Sequence, residues 1–209
     1  IGFMAILFIS TILLVGPGWC SYLCYFGTLD YHASKPAKLH RHLRPKHLHL
    51  IKTTGFFIIV LSAILLRLFK ISNHTTVLIA SIFALMGISI MLLLSLRKKR
   101  MYHCTMYCPI HSSAIILKYL NPFRIRVDTN KCKRCMKCVN VCKYFAIFPK
   151  DIENGKPNIM CTYCGDCITV CNDNAIQYSF FGNSSYKTRN LYLIIITIVH
   201  TVFLGLARI

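Results

Sequence analysis

With 209 residues and 55% hydrophobic side chains, the chain has room for one small soluble domain and a few apolar helices, which excludes two large globular cores. Lys and Arg number 25 against six Asp and Glu, and the resulting charge of +19 suits nucleic acid, an anionic membrane surface or acidic partners. Twelve cysteines would suggest a disulfide-rich secreted domain, yet eight stand at metal-cluster spacing, where thiolates are required, so a reducing compartment fits better.

The apolar block Ile1 to Val15 reads as a helix, although it is shorter than the roughly 20 residues that span a bilayer. It is expected to be the remainder of a longer helix. A cleaved signal peptide is not expected, because a basic leader region and a small-residue cleavage site are lacking. A C-x3-C pair, Cys20 and Cys24, follows it directly. The next stretch, to Lys52, mixes six Lys and Arg with His32, His40, His42, His47 and His49. It reads as a segment lying on anionic lipid, with docking of an acidic ferredoxin or flavodoxin and a metal or quinone site as the other readings.

Residues Thr53 to Phe69 and Thr76 to Leu96 form two more apolar helices in a tight hairpin. Arg97-Lys98-Lys99-Arg100 abuts the second of them, and Cys104 and Cys108 make another C-x3-C pair, followed by Pro109. A last apolar helix, Leu191 to Ala207, carries His200, where an ionisable group serves either as a proton or quinone site or as a neutral partner of a neighbouring helix. The loops Gly16 to Lys52 and Arg97 to Asn190 hold 6 and 16 basic residues, against 3 elsewhere. By the positive-inside rule, the face that carries those loops is cytoplasmic. The charge is thus a topology signal, and nucleic-acid binding is not expected.

An internal repeat dominates the polar part. Cys132, Cys135, Cys138 and Cys142 recur 29 residues later as Cys161, Cys164, Cys167 and Cys171, and Ala146-Ile147 recurs as Ala175-Ile176. Two half-domains of this kind need each other to bury an apolar side, and bound metal would add cohesion that so small a core lacks. A pair of zinc knuckles is the alternative, but it leaves surplus cysteines in each run. The segment resembles a bacterial two-cluster ferredoxin, in which the fourth Cys of each run ligates the other cluster. Carried over, cluster I takes Cys132, Cys135, Cys138 and Cys171, and cluster II takes Cys161, Cys164, Cys167 and Cys142. Lys143 and Asn172 stand where that pattern has Pro, a packing feature and not a ligand.

Nearly the whole chain is similar to the membrane polyferredoxin family that includes NapH, a membrane ferredoxin subunit of periplasmic nitrate reductase systems, and the C-terminal part of NosR, a nitrous-oxide reduction factor. Gly16-Pro17-Gly18-Trp19-Cys20 through Gly27, and Cys104 through Cys108-Pro109, match its two C-x3-C-P motifs, with Tyr25 replacing the first Pro. The fold expected is a mostly α membrane protein of about four transmembrane helices, with an inserted small α+β two-cluster ferredoxin domain. Residues 1–129 would hold the first helices and both C-x3-C motifs, 130–180 the ferredoxin-like domain, and 181–209 the final helix. Cys20, Cys24, Cys104 and Cys108 suit a third cluster or other metal site, a thiol-disulfide pair, or inert thiols. Thiolates beside Arg97 to Arg100 would have their ionised form favoured.

The function expected is an electron-transfer subunit in the cytoplasmic membrane of a prokaryote, its ferredoxin domain on the cytoplasmic side, relaying electrons between quinol or a soluble carrier and a partner redox enzyme. Its partners would be other subunits of a membrane redox complex. The alternatives are a membrane assembly factor that reduces a metal or disulfide in another enzyme, and a scaffold whose clusters never change oxidation state. Asp166 and Asp173 are expected to be solvated surface groups.

Overall fold

The computed structural model describes residues 2–34 and 48–206. His40, His42 and His47, with most of the basic stretch read as lipid-facing, lie outside the described residues.

Helix α1 (Gly2–Val15) is apolar apart from Ser10 and Thr11 and ends where Gly16 turns to φ +64 in a tight 3-10 turn over Gly16–Gly18. Helices α2 (Trp19–Tyr22) and α3 (Tyr25–Ala33) follow, with Cys24 extended between them. Helices α4 (Leu48–Leu68) and α5 (Asn73–Ile90) form the expected hairpin. Ser72 caps α5 by accepting the Thr75 N–H at 3.4 Å. Helix α5 passes through a π turn at Met91–Ser95 into α6 (Leu96–Lys98), which stops at left-handed Lys99.

Three runs are long and apolar enough to cross a membrane: Ile9–Ala33, Leu50–Leu68 and Asn73–Lys98. The last two bury only 6% of their apolar windows inside the protein, which suits lipid as the surrounding medium. The expected spans 53–69 and 76–96 fall on these two. Helix α4 starts five residues before the expected Thr53, because Lys52 turns inward and is 6% exposed instead of marking a solvated end. The expected fourth span, 191–207, falls on α11 (Tyr186–Leu206) as far as residue 206, the last described, and this helix is not among those three.

After a π turn at His103–Tyr107 come α7 (Pro109–Leu117), a 3-10 turn at Lys118–Leu120, and strand β1 (Phe123–Val127). Short helices α8 (Lys137–Val141), α9 (Pro149–Glu153) and α10 (Asp166–Thr169) precede strands β2 (Ile176–Phe180) and β3 (Asn183–Ser184). The sheet is antiparallel in the order β1-β2-β3, with Phe123 opposite Phe180 and Val127 opposite Ile176. Phe123, Ile125 and Val127 face the core, the period-two pattern of a half-buried strand. Strand β1 lies ahead of residue 130, so the sheet reaches beyond the expected 130–180 segment. The cysteine repeat marks the ligand loops but not the strand that pairs with the end of the second half.

Membrane helices and ferredoxin-like unit share one core. It includes Val15 of α1, Phe123 of β1, Tyr163 and Tyr178 of the ferredoxin-like unit, and Tyr192 of α11. The Tyr192 hydroxyl donates to the Val15 carbonyl at 2.7 Å. Gly18 makes room for it, since a Cβ there would lie 1.9 Å from that oxygen.

Candidate iron–sulfur sites

The repeat is visible in the backbone. Arg134 and Tyr163, Met136 and Gly165, and Phe145 and Asn174 are three pairs separated by 29 residues, and all six have positive φ. Five are not glycine, and left-handed backbone at such residues is uncommon and costs free energy. Successive right- and left-handed residues turn N–H groups into one concavity, which suits an anionic metal–sulfur group. Met136 and Gly165 each stand at the start of a short helix, α8 and α10, and these two helices pack together.

The loops close around two cavities. One is lined by Cys132, Cys135, Cys138 and Cys171, the other by Cys161, Cys164, Cys167 and Cys142. The fourth Cys of each run therefore faces the cavity of the other run. Among the described residues no three Cys, His, Asp or Glu side chains converge closely enough for one metal ion. All four residues of each set are thiols, and a cube needs four.

Backbone and cationic groups surround the thiols. Burial raises Cys142, Cys164 and Cys167 above the ordinary thiol range and Cys138 to about 11. Backbone N–H groups act the other way, as with Ala146, whose N–H points to Cys142 Sγ at 3.3 Å. As free thiols these groups would hold their protons, so metal binding would release them. Buried Arg100 donates to the carbonyls of Cys142 and Val139 and lies 5.2 Å from the Phe145 ring centroid. Asp166 is half-buried on the wall of the second cavity, and Asp173, also half-buried, pairs with Lys133 beside the first. Asp166 is not the solvated surface group expected, because its loop folds the carboxylate against the cysteines, whereas Asp173 keeps a partly exposed place in its pair with Lys133.

The two C-x3-C motifs also share one shape. In each, the N–H of the second Cys donates to the carbonyl five residues earlier, Cys24 to Trp19 at 3.1 Å and Cys108 to His103 at 3.0 Å. The second Cys is then extended and starts the next helix, α3 or α7. Gly27 lets α3 fold back, because a Cβ there would lie 2.1 Å from the Cys20 carbonyl oxygen. The four thiols lie close enough for their charges to act on one another.

Their cationic neighbour is Lys52 of α4, which sequence reasoning missed. Its ammonium lies 2.6 Å from His111 Nδ1 and 3.6 Å from Met160 Sδ, and its charge acts on Cys20, Cys104 and Cys108. Asp30, fully buried, accepts the Cys104 N–H at 3.0 Å. The expected stabilisation of these thiolates by Arg97 to Arg100 is not found. Arg100 turns to Cys142, and burial, reinforced by Asp30 at Cys104, pushes the thiols of Cys104 and Cys108 upward.

The first motif is docked on the second ferredoxin loop. Ser21 Oγ donates to Thr162 Oγ1 at 2.8 Å and lies 3.2 Å from the Tyr144 hydroxyl, while the Tyr22 hydroxyl donates to the Cys164 carbonyl at 2.6 Å. His32 is exposed beside Tyr31, at 6.0 Å between ring centroids. His200 is half-buried in α11, outside both cysteine-lined cavities.

Comparison with known proteins points the same way. Families described as 4Fe-4S binding domains match residues 1–46, which hold the first C-x3-C motif, and residues 124–147, which hold the first ferredoxin run. The ferredoxin-type protein NapH of Haemophilus influenzae is 30% identical over 83 residues, 36% of this chain and 29% of that protein. NADH-quinone oxidoreductase subunit I 2 of Aquifex aeolicus is 30% identical over 90 residues, 36% of this chain and 43% of that protein. An uncharacterized protein of Methanocaldococcus jannaschii is 28% identical over 87 residues, 42% of this chain and 34% of that protein. The matches thus span about a third of the first two curated relatives' lengths. No solved structure matches.

These matches support 4Fe-4S clusters as cofactors of this chain. More narrowly, part of the chain is similar to the ferredoxin-type protein NapH, and three of the chain's runs are long and apolar enough to cross a membrane.

Proposed function

We propose that this chain is a membrane-bound relay that passes electrons between quinol or a soluble carrier and a partner subunit of a redox complex. Cys132, Cys135, Cys138 and Cys171 would hold one 4Fe-4S cluster and Cys161, Cys164, Cys167 and Cys142 the other. The observation that carries this reading is the crossed lining of the two cavities, which spacing in the sequence implied only through a resemblance. When bound, a cluster of this kind accepts and returns one electron. The chain's own part is to fix the thiols on left-handed turns, offer N–H groups such as that of Ala146 to their sulfur, and pack buried Tyr144 against the inner loop, to which Tyr22 adds a hydrogen bond. Hydrogen bonds to sulfur and solvent exposure set the potentials.

The multi-pass arrangement with four spans, and the ferredoxin-like unit on the cytoplasmic side, belong to the same reading. They are supported by the basic run Arg97 to Arg100, which begins in α6 at the end of the second hairpin helix. The name of one relative, an NADH-quinone oxidoreductase subunit, supports a quinone-linked redox complex as the setting. Iron and acid-labile sulfide analysis with low-temperature EPR of the purified protein tests the assignment. About eight irons per chain with two interacting signals is the expected result, and a colourless, zinc-containing protein would refute it.

The four C-x3-C cysteines support a second reading, in which they form a third metal centre that reduces a metal or disulfide of another enzyme. Asp30 and Lys52, polar side chains buried beside these cysteines, favour chemistry there over inert thiols. About twelve irons per chain would place a third cluster at these residues. Replacing the four by Ser separates the two readings. Loss of a partner's maturation with intact cluster reduction favours the assembly role.

A further inference from the structure

A cleft of about 320 Å3 opens on the side of the ferredoxin-like unit where β1 meets the turn after α7. That volume is at the lower end of the range for small-molecule sites. Its walls carry Lys118, Arg124, Arg126 and Lys156, together with Tyr119 and Tyr163, and no carboxylate. Among the described residues, none of these four cations pairs with an acidic side chain. Two of them are fixed in place. Lys118 donates to the carbonyls of Ile159 at 3.3 Å and Cys161 at 3.1 Å and lies 4.9 Å from the Tyr163 ring centroid. Arg124 donates to the Tyr119 carbonyl at 3.1 Å and the Tyr163 hydroxyl at 3.3 Å. The other two, Arg126 and Lys156, are exposed at the rim with their charged ends available. Concave walls bearing one sign of charge concentrate the opposite charge between them.

The surroundings of the cleft identify the kind of anion. Ile116, Tyr119 and Leu120 are 58%, 72% and 72% exposed, and their spacing places them together along one side of the chain as it leaves α7. Such a strip is costly in water and suits the bilayer interface, where a tyrosine is favoured beside apolar side chains. The Asn121 amide fastens this turn to the end of α1 by donating to the carbonyls of Leu13 at 3.1 Å and Leu14 at 2.9 Å. Both leucines are themselves exposed. The cleft therefore opens where the apolar surface of α1 gives way to the basic surface of the ferredoxin-like unit. That is the level at which a lipid presents its phosphate.

We propose that this cleft binds the phosphate of an anionic membrane phospholipid, whose acyl chains run along Leu120, Ile116 and the exposed leucines at the end of α1. Arg126 and Lys156 contact the headgroup, and Lys118 and Arg124 supply fixed positive charge behind it. Arg at such a site grips phosphate through paired N–H donors, and basic pockets beside membrane helices are an established means of holding anionic headgroups. The lipid would seat the ferredoxin-like unit on the bilayer next to the loop that carries Cys161.

The test uses the full chain, purified with its clusters in a nonionic detergent. Thermal unfolding is followed on adding short-chain phosphatidylglycerol, phosphatidylcholine of the same chain length, or inorganic phosphate at equal concentration. Phosphatidylglycerol should raise the midpoint and the other two should not. The double variant Arg126→Gln, Lys156→Gln should bind phosphatidylglycerol at least tenfold more weakly. Lys150→Gln, an exposed control outside the cleft, should match the parent. Native mass spectrometry gives an independent reading, with one retained phosphatidylglycerol in the parent and none in the double variant. The proposal is overturned by equal stabilisation from phosphatidylcholine, by inorganic phosphate alone reproducing the effect, or by undiminished lipid retention in the double variant.

Discussion

The loop Cys132–Cys138 and its repeat Cys161–Cys167 have the same cysteine spacing and the same left-handed turns, yet they end in opposite surroundings. In the first, Cys135 is exposed among exposed Lys131, Lys133, Arg134 and Lys137. In the second, Cys161 and Cys167 are buried, and Ser21, Tyr22, Tyr144 and Lys118 close over the loop. A duplicated half-domain thus gives one outward and one inward site. The difference comes from what packs on each copy and not from the copies themselves. Because solvent exposure shifts cluster potentials, the two sites are expected to differ in potential and in access to partners.

The largest test of that contrast is removal of a thiol. Cys135→Ser and Cys164→Ser should each lower the iron content from about eight to about four per chain, measured with acid-labile sulfide. In the parent, a soluble oxidant such as ferricyanide should bleach half of the visible absorbance in a fast phase. Cys135→Ser should lack that phase and Cys164→Ser should keep it. Equal bleaching of both halves would contradict the assignment of an outward and an inward site.

A smaller effect is expected in the first C-x3-C motif, which docks on the inner loop. Gly27→Ala places a Cβ 2.1 Å from the Cys20 carbonyl oxygen, a backbone atom that cannot swing aside. Overpacking of this kind costs about 1–3 kcal/mol, which should appear as a lower thermal midpoint. Smaller again is Tyr22→Phe, which removes the hydrogen bond to the Cys164 carbonyl. About 0.5 kcal/mol is expected for a bond this accessible, with a change in the EPR signal of the inner site alone. The smallest effect is at the outer loop. Lys133→Gln breaks an exposed pair with Asp173 and should leave the unfolding midpoint unchanged, since such pairs are screened by solvent.

Much of this arrangement was legible in the sequence for a physical reason. Cysteines that must share one inorganic group are confined to short loops, so their spacing is written locally, as it is for Cys132 to Cys142 and its repeat. Apolar runs that face lipid are equally plain, and α4 and α5 fall where the runs lie. The contacts between units were not legible. Ser21 and Thr162 are 141 positions apart, and nothing in either residue announces the other. Lys52 looked like one more charge in a basic stretch, because burial beside His111 depends on how α4 packs against α7. Strand β1 escaped notice because five alternating residues between a helix and a cysteine loop carry little signal until β2 is there to pair with them.

The seal that Ser21 and Tyr22 place over the inner loop has a consequence for biogenesis. A chain is made from its amino end, so the lid exists well before the loop it covers. On the proposed ligand assignment, iron and sulfide reach Cys161, Cys164 and Cys167 most readily in the interval before the two meet. Filling of the inner site is therefore expected to be coupled to insertion of the helices, whereas the outer site can be filled, lost and repaired on the finished protein.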